Sequence, residues 1–85
     1  MSTHTLTIHL FANLKERVGR GTINLEVPFN CTVADVKILL KAAYPGIAHQ
    51  LNKVVITANG GQVFIPEEVL PINADVSILP PFGGG

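Results

Sequence analysis

Few side chains in this sequence are placed to do chemistry. His4, His9 and His49 lie far apart, fall at no metal-ligand spacing and have a single cysteine, Cys31, for company. Each histidine reads as a strand or surface residue, and no metal site is expected. Cys31 precedes Thr32, a good helix N-cap, and so stands where a small apolar residue packs on Val36 as a hydrophobic staple. A structural thiol is the expectation. Glu67 and Glu68 are adjacent, need not converge on one substrate, and read as a solvated loop. Gly60 and Gly61 lack the spacing and following helix of a phosphate loop, and no Ser or Cys sits in a nucleophile motif.

The one group whose placement looks purposeful is the carboxylate of Gly85, at the end of Leu79-Pro80-Pro81-Phe82-Gly83-Gly84-Gly85. Pro80 and Pro81 fix φ and supply no backbone donors, so they should end the preceding strand and point the rest of the chain away from the body. Gly83 and Gly84 have no Cβ and can bring backbone through a narrow channel. Fully extended at roughly 3.3 to 3.6 Å per residue, the segment from Pro80 spans about 20 Å, enough to enter another protein's active site. The expected organisation is a folded domain over residues 1–79 and a flexible tail over residues 80–85. An α-carboxylate with a pKa of about 3.3 to 3.7 is ionised at neutral pH and resists nucleophilic attack, so chemistry at Gly85 requires activation by a partner.

The elements that must carry this tail follow from hydrophobic periodicity. Thr5 to Phe11 alternates, with Leu6, Ile8 and Leu10 on one face, which predicts a half-buried strand. Phe11 has the opposite parity and should face outward. Asn13 with Glu16 offers a capping pair for a short helix that Gly19 closes. Thr22 to Val27 alternates again until Pro28. Thr32, with Asp35 at the third helical position, should cap the main helix, whose Val36, Leu39, Leu40 and Ala43 form a stripe toward a sheet while Lys37 and Lys41 face water. That helix should end at Tyr44, before Pro45-Gly46, with one further turn over residues 47–51. Val54 to Ala58 and Gln62 to Ile65 read as strands joined at Asn59-Gly60-Gly61, and Val76 to Leu79 as the last strand. The order β, short α, β, α, β, β, β predicts an α+β domain: a mixed sheet of about five strands covered on one face by one helix.

Composition narrows the function classes. The chain of 85 residues is 47% hydrophobic and 14% charged, below the roughly 25% charged of average proteins, which leaves apolar surface for a partner. Six basic and six acidic residues cancel, which argues against nucleic acid or an anionic membrane as partner. One cysteine fits a reducing compartment, and no apolar run reaches membrane-spanning length, so a cytoplasmic protein is expected.

These residues resemble the ubiquitin-like, β-grasp sulfur carriers, and among them the small subunit of molybdopterin synthase. Phe11-Ala12-Asn13-Leu14-Lys15-Glu16 is similar to that subunit's F-A-x-L-K/R-E opening, and Thr32-Val33-Ala34-Asp35-Val36 to its T-V-x-x-L/V helix start. Ala58-Asn59, the Asn73-Ala74-Asp75 turn (where D-G-D is common) and Pro80-Pro81-Phe82-Gly83-Gly84-Gly85 complete the likeness. Gly83 replaces the usual Ala, Ser or Thr. The resemblance implies an extended Gly-Gly tail, an adenylating enzyme of the ubiquitin-activating type that uses ATP to form the Gly85 acyl-adenylate, and a sulfur donor such as a cysteine desulfurase or rhodanese system. The resulting thiocarboxylate would donate sulfur to cyclic pyranopterin monophosphate inside the large subunit, in a heterotetramer of two small and two large subunits. Catalytic side chains would come from the partners, with no cofactor bound by this chain. The family's partner-facing positions match Phe11, Val63 and Leu79, beside Pro80, Pro81 and Phe82. Diglycine endings also occur in carriers for thiamine, cysteine and tRNA thiolation and in ubiquitin-like modifiers, which remain the alternatives.

Overall fold

A computed structural model describes residues 3–63 and 65–80. Five strands form one sheet: β1 (Thr3–Leu10), β2 (Thr22–Pro28), β3 (Val55–Ala58), β4 (Gly61–Val63) and β5 (Asp75–Leu79). Helix α1 (Ala12–Val18) joins β1 to β2, and α2 (Val33–Ala43) follows β2. Two short 3₁₀ turns, Pro45–Ile47 and Gln50–Lys53, lead into β3. Across the sheet the order is β2-β1-β5-β3-β4, with β1 and β5 parallel at the centre and the other pairs antiparallel. The expected α+β mixed sheet is therefore observed.

Alternation decides which face is dry. Leu6, Ile8 and Leu10 of β1 line up with Ile23, Val27, Val76 and Ile78 of its neighbours, and all are buried against Val33, Val36 and Leu40 of α2. The α2 stripe differs from expectation at its end: Leu39 is half-buried and Ala43 exposed, so Val33 in the first turn takes the place assigned to Ala43. Lys37 and Lys41 are half-buried, and Lys41 Nζ donates to Asn52 Oδ1 at 2.7 Å. At the start of α2, Asp35 N–H donates to Thr32 Oγ1 (3.2 Å) while Thr32 N–H donates to Asp35 Oδ2 (3.1 Å), a reciprocal capping box. Cys31 is fully buried just before it, and burial with the nearby Asp35 charge pushes its thiol up. A thiol held protonated at neutral pH is a packing residue.

Two turns set the sheet's register. Asn59 (φ 50°) and Gly60 (φ 88°) both take left-handed backbone between the paired Ala58 and Gly61, which is the I′ turn that an Asn-Gly pair favours. Asn59 also clasps β5, accepting from Asp75 N–H at Oδ1 (3.0 Å) and donating its own N–H to Asp75 O (2.8 Å). Asn73 (φ 56°) holds the start of β1: its N–H donates to His4 Nδ1 (3.0 Å), and its Oδ1 accepts from Thr5 N–H (3.3 Å).

The short helix corrects the sequence reading. Phe11, not Asn13, is the N-cap, and no side chain caps the helix. β1 ends at Leu10, and the chain turns through Ala12 at φ 53°. Left-handed backbone costs a residue with a Cβ roughly 1–2 kcal/mol, and Ala12 lacks the side-chain amide that Asn59 and Asn73 bring to the same conformation. Ala12→Gly should therefore stabilise the domain by about 0.5–1 kcal/mol despite the added chain entropy of glycine. A rise in the urea midpoint would show it, and a fall would mean that the turn is not strained.

Candidate functional site

The parallel β1–β5 pair decides where the tail leaves. Leu10 pairs with Ile78, so the chain at Phe11 and the chain at Leu79-Pro80 quit the sheet side by side, at the end occupied by α1. Pro81, Phe82, Gly83, Gly84 and Gly85, expected to hold the reactive group and part of the docking surface, lie outside the described residues. The structure fixes the platform from which they start.

Three expected contact residues fall on that platform and one does not. Phe11 is 42% exposed, as its parity demands. Leu79 and Pro80 are half-buried, and Leu79 pairs with Val55 on the sheet face away from α2. Val63, by contrast, pairs with Ile56 and packs against the core, so the register turns it toward the helix side. The open face beside Leu79 is otherwise polar: Thr7, His9, Thr57 and Ser77 share it through their pairings. His9 there links Thr22 Oγ1 (3.5 Å from Nδ1) to Asp75 Oδ1 (3.2 Å from Nε2). With side chains 34% and 69% exposed, His9 and Asp75 brace the sheet surface. His4 is buried beneath Phe29, ring centroids 5.7 Å apart, at the opposite end of β1 from the tail. Among the described residues no group of His, Cys, Asp and Glu is arranged to hold a metal, and no helix is long and apolar enough to cross a membrane.

The sequence reading missed a groove at the root of the tail. Pro80 forms one wall, Asn13 and Leu14 of α1 another, and His49, Gln50, Lys53 and Val54 the rest, enclosing about 230 Å³. His49 and Lys53 are exposed, whereas Gln50 Oε1 is fully buried with no hydrogen-bond partner among the described residues. The residues themselves gave little signal, because a further helical turn over 47–51 is silent about which side chains it turns toward Pro80.

A five-stranded mixed sheet carrying one main helix, with β1 and β5 parallel at its centre, defines a ubiquitin-like β-grasp protein. The comparison with family models is specific: residues 8–85 match the ThiS family, and the chain belongs to it. The molybdopterin synthase sulfur carrier subunit of Dictyostelium discoideum is 29% identical over 80 residues, covering 92% of this chain and 93% of that one. Among solved structures, the HVO 2177 protein of Haloferax volcanii superposes with a TM-score of 0.85 at 31% identity, covering 99% of this chain and 89% of that chain. The small archaeal modifier protein 1 of Methanosarcina acetivorans superposes with a TM-score of 0.81 at 24% identity, each chain covered completely, a likeness of fold.

Proposed function

We propose that this protein is the sulfur carrier of molybdopterin synthesis, working through its Gly85 carboxylate. The observation that carries the reading is the family match, which runs through β5 and on to Gly85, together with the sulfur carrier subunit that resembles the chain along nearly its whole length. In this reading the carboxylate attacks the α-phosphate of ATP on an adenylating enzyme and expels pyrophosphate. The persulfide of a sulfur donor then displaces AMP to form an acyl disulfide, and a second thiol cleaves its S–S bond, leaving the thiocarboxylate and a new disulfide on the donor side. The tail carries that sulfur into the large subunit of molybdopterin synthase and gives it to cyclic pyranopterin monophosphate, and the regenerated carboxylate is charged again. Activation is unavoidable, because an ionised carboxylate is a poor electrophile. The chain's own residues supply reach and docking, and the catalytic side chains belong to its partners.

Intact-mass measurement after incubation with ATP, an adenylating enzyme of the ubiquitin-activating class and a sulfur source tests this. The expected product is the chain with one oxygen replaced by sulfur, competent to convert cyclic pyranopterin monophosphate when the large subunit is added. Loading without that conversion would assign the sulfur to another acceptor, such as thiamine, cysteine or tRNA. Adducts to protein lysines would make the chain a modifier, the other activity that this fold serves.

Docking follows from the same reading. Phe11, exposed where the tail begins, is an aromatic anchor for whatever grips the tail. Phe11→Ala should weaken binding to the large subunit by about 2 kcal/mol while lowering unfolding stability much less. Titration and urea unfolding of the same variant decide it. Unchanged affinity with lost stability would make Phe11 a core residue.

A further inference from the structure

The charges of this chain cancel in number but not in space. Lys15 and Arg17 lie on α1, and Arg20 lies next to Gly21, whose carbonyl takes the Leu10 N–H at the end of β1. Lys53 borders the groove at Pro80, and Lys41 is tied to Asn52 of the same 3₁₀ turn. Five of the six basic residues thus surround the end from which the tail leaves, with Glu16 as the one acid among them. The other five acids sit away from it. Glu26, in the last half of β2, accepts from Thr3, Asp35 is in the first turn of α2, Glu67 and Glu68 lie in the loop bonded to that turn, and Asp75 begins β5.

The groove within this basic end leaves polar groups open among the described residues: none of those lining it is a carboxylate, Lys53 makes no ion pair with them, and Gln50 Oε1 is buried without a donor from them. At about 230 Å³ it lies below the roughly 300–1,000 Å³ of small-molecule sites and suits a single side chain. An acidic side chain with a neighbouring N–H would satisfy both defects, the carboxylate facing Lys53 and the His49 ring edge, and the N–H reaching Gln50.

We propose that the tail-bearing end is an electrostatic docking surface for an acidic rim around the active-site entrance of the adenylating enzyme, with the groove receiving one carboxylate from that rim. This rests on the carrier reading above. The polarity orients the chain before contact: a basic pole drawn to an acidic rim brings the tail in first, while the acidic pole is repelled. Such steering raises association rates by about 10- to 10³-fold and fades with added salt.

The test measures kcat/KM for acyl-adenylate formation by the adenylating enzyme encoded in the same genome, at low and high salt, with the full chain. Lys53→Glu should lower kcat/KM about tenfold at low salt, leave the melting temperature unchanged, and lose most of its defect at high salt. The double variant Lys53→Glu with Glu67→Lys restores zero net charge yet should keep the defect, because location and not total charge sets the approach. Equal kcat/KM for Lys53→Glu and the wild-type chain, or full rescue by Glu67→Lys, overturns the proposal. Titrations of the same proteins without ATP separate it from the carrier reading. Salt-sensitive binding with no adenylate formed would remove the carrier reading and keep the docking surface, whereas salt-insensitive binding, or none, removes the docking surface.

Discussion

Removal of Gly85 is expected to abolish thiocarboxylate formation completely while leaving the melting temperature where it was. The two outcomes separate because they rest on different parts of the chain. The core is built from β1 to β5 and α2, whose last strand ends at Leu79, whereas the proposed chemistry uses an atom six residues further on. Deletion moves the carboxylate back by one residue, about 3.3–3.6 Å. That is far outside the tolerance of a reaction that needs its atoms about 3–3.5 Å apart, where a misplacement of about 1 Å costs on the order of 10²-fold. Gly84→Val should fail for a second reason: the carboxylate is present, but a branched side chain meets a channel sized for backbone. Intact mass after loading reads both variants. A truncated chain that still gains sulfur would remove Gly85 from the mechanism.

The largest stability effect is expected at Ile8. It is fully buried in β1, paired on one side with Ile23 of β2 and on the other with Val76 of β5, below Val36 and Leu40 of α2. Its partners on both sides are held in the hydrogen-bonded ladder of the sheet, so the site has little freedom to collapse when emptied. Ile8→Ala should cost about 3–4 kcal/mol, within the range for large-to-small core changes in rigid surroundings. A domain of this size holds about 4–13 kcal/mol in total, so much of the margin goes. The urea midpoint should drop by one to a few molar with an unchanged slope, given about 1–3 kcal/mol per molar for small proteins. A loss below about 1 kcal/mol would mean that the sheet repacks around the cavity.

Local rules carried much of the architecture into the sequence. Leu6, Ile8 and Leu10 announce β1 by alternation, Thr32 and Asp35 announce the start of α2, and Asn59-Gly60 announces its hairpin, because in each case the determinant lies within a few residues. The misses share an opposite cause. The beginning of β1 at Thr3 and the burial of His4 depend on Asn73, 69 positions away from His4. Val63 is apolar in either orientation, and only its pairing with Ile56 shows which way it turns. The start of α1 at Ala12 uses a left-handed residue that no side chain signals. The groove at Pro80 joins residues from three separated stretches, so neither spacing nor composition points to it. The expectation for Gly85 comes from the glycine tail of the sequence alone, and that residue lies outside the described ones.

The central position of β5 has a kinetic side. Thr7 pairs with Asp75 and Val55 with Leu79, so the strand that completes the sheet binds partners far behind it in sequence. Closing so long a loop forfeits chain entropy before any contact rewards it, and domains dominated by non-local pairing fold in about milliseconds to seconds, whereas helical bundles take microseconds to milliseconds. β1 and β3 have no direct pairing and meet only through β5. A chain cut anywhere ahead of Asp75 therefore lacks the strand that joins the β1–β2 pair to the β3–β4 pair.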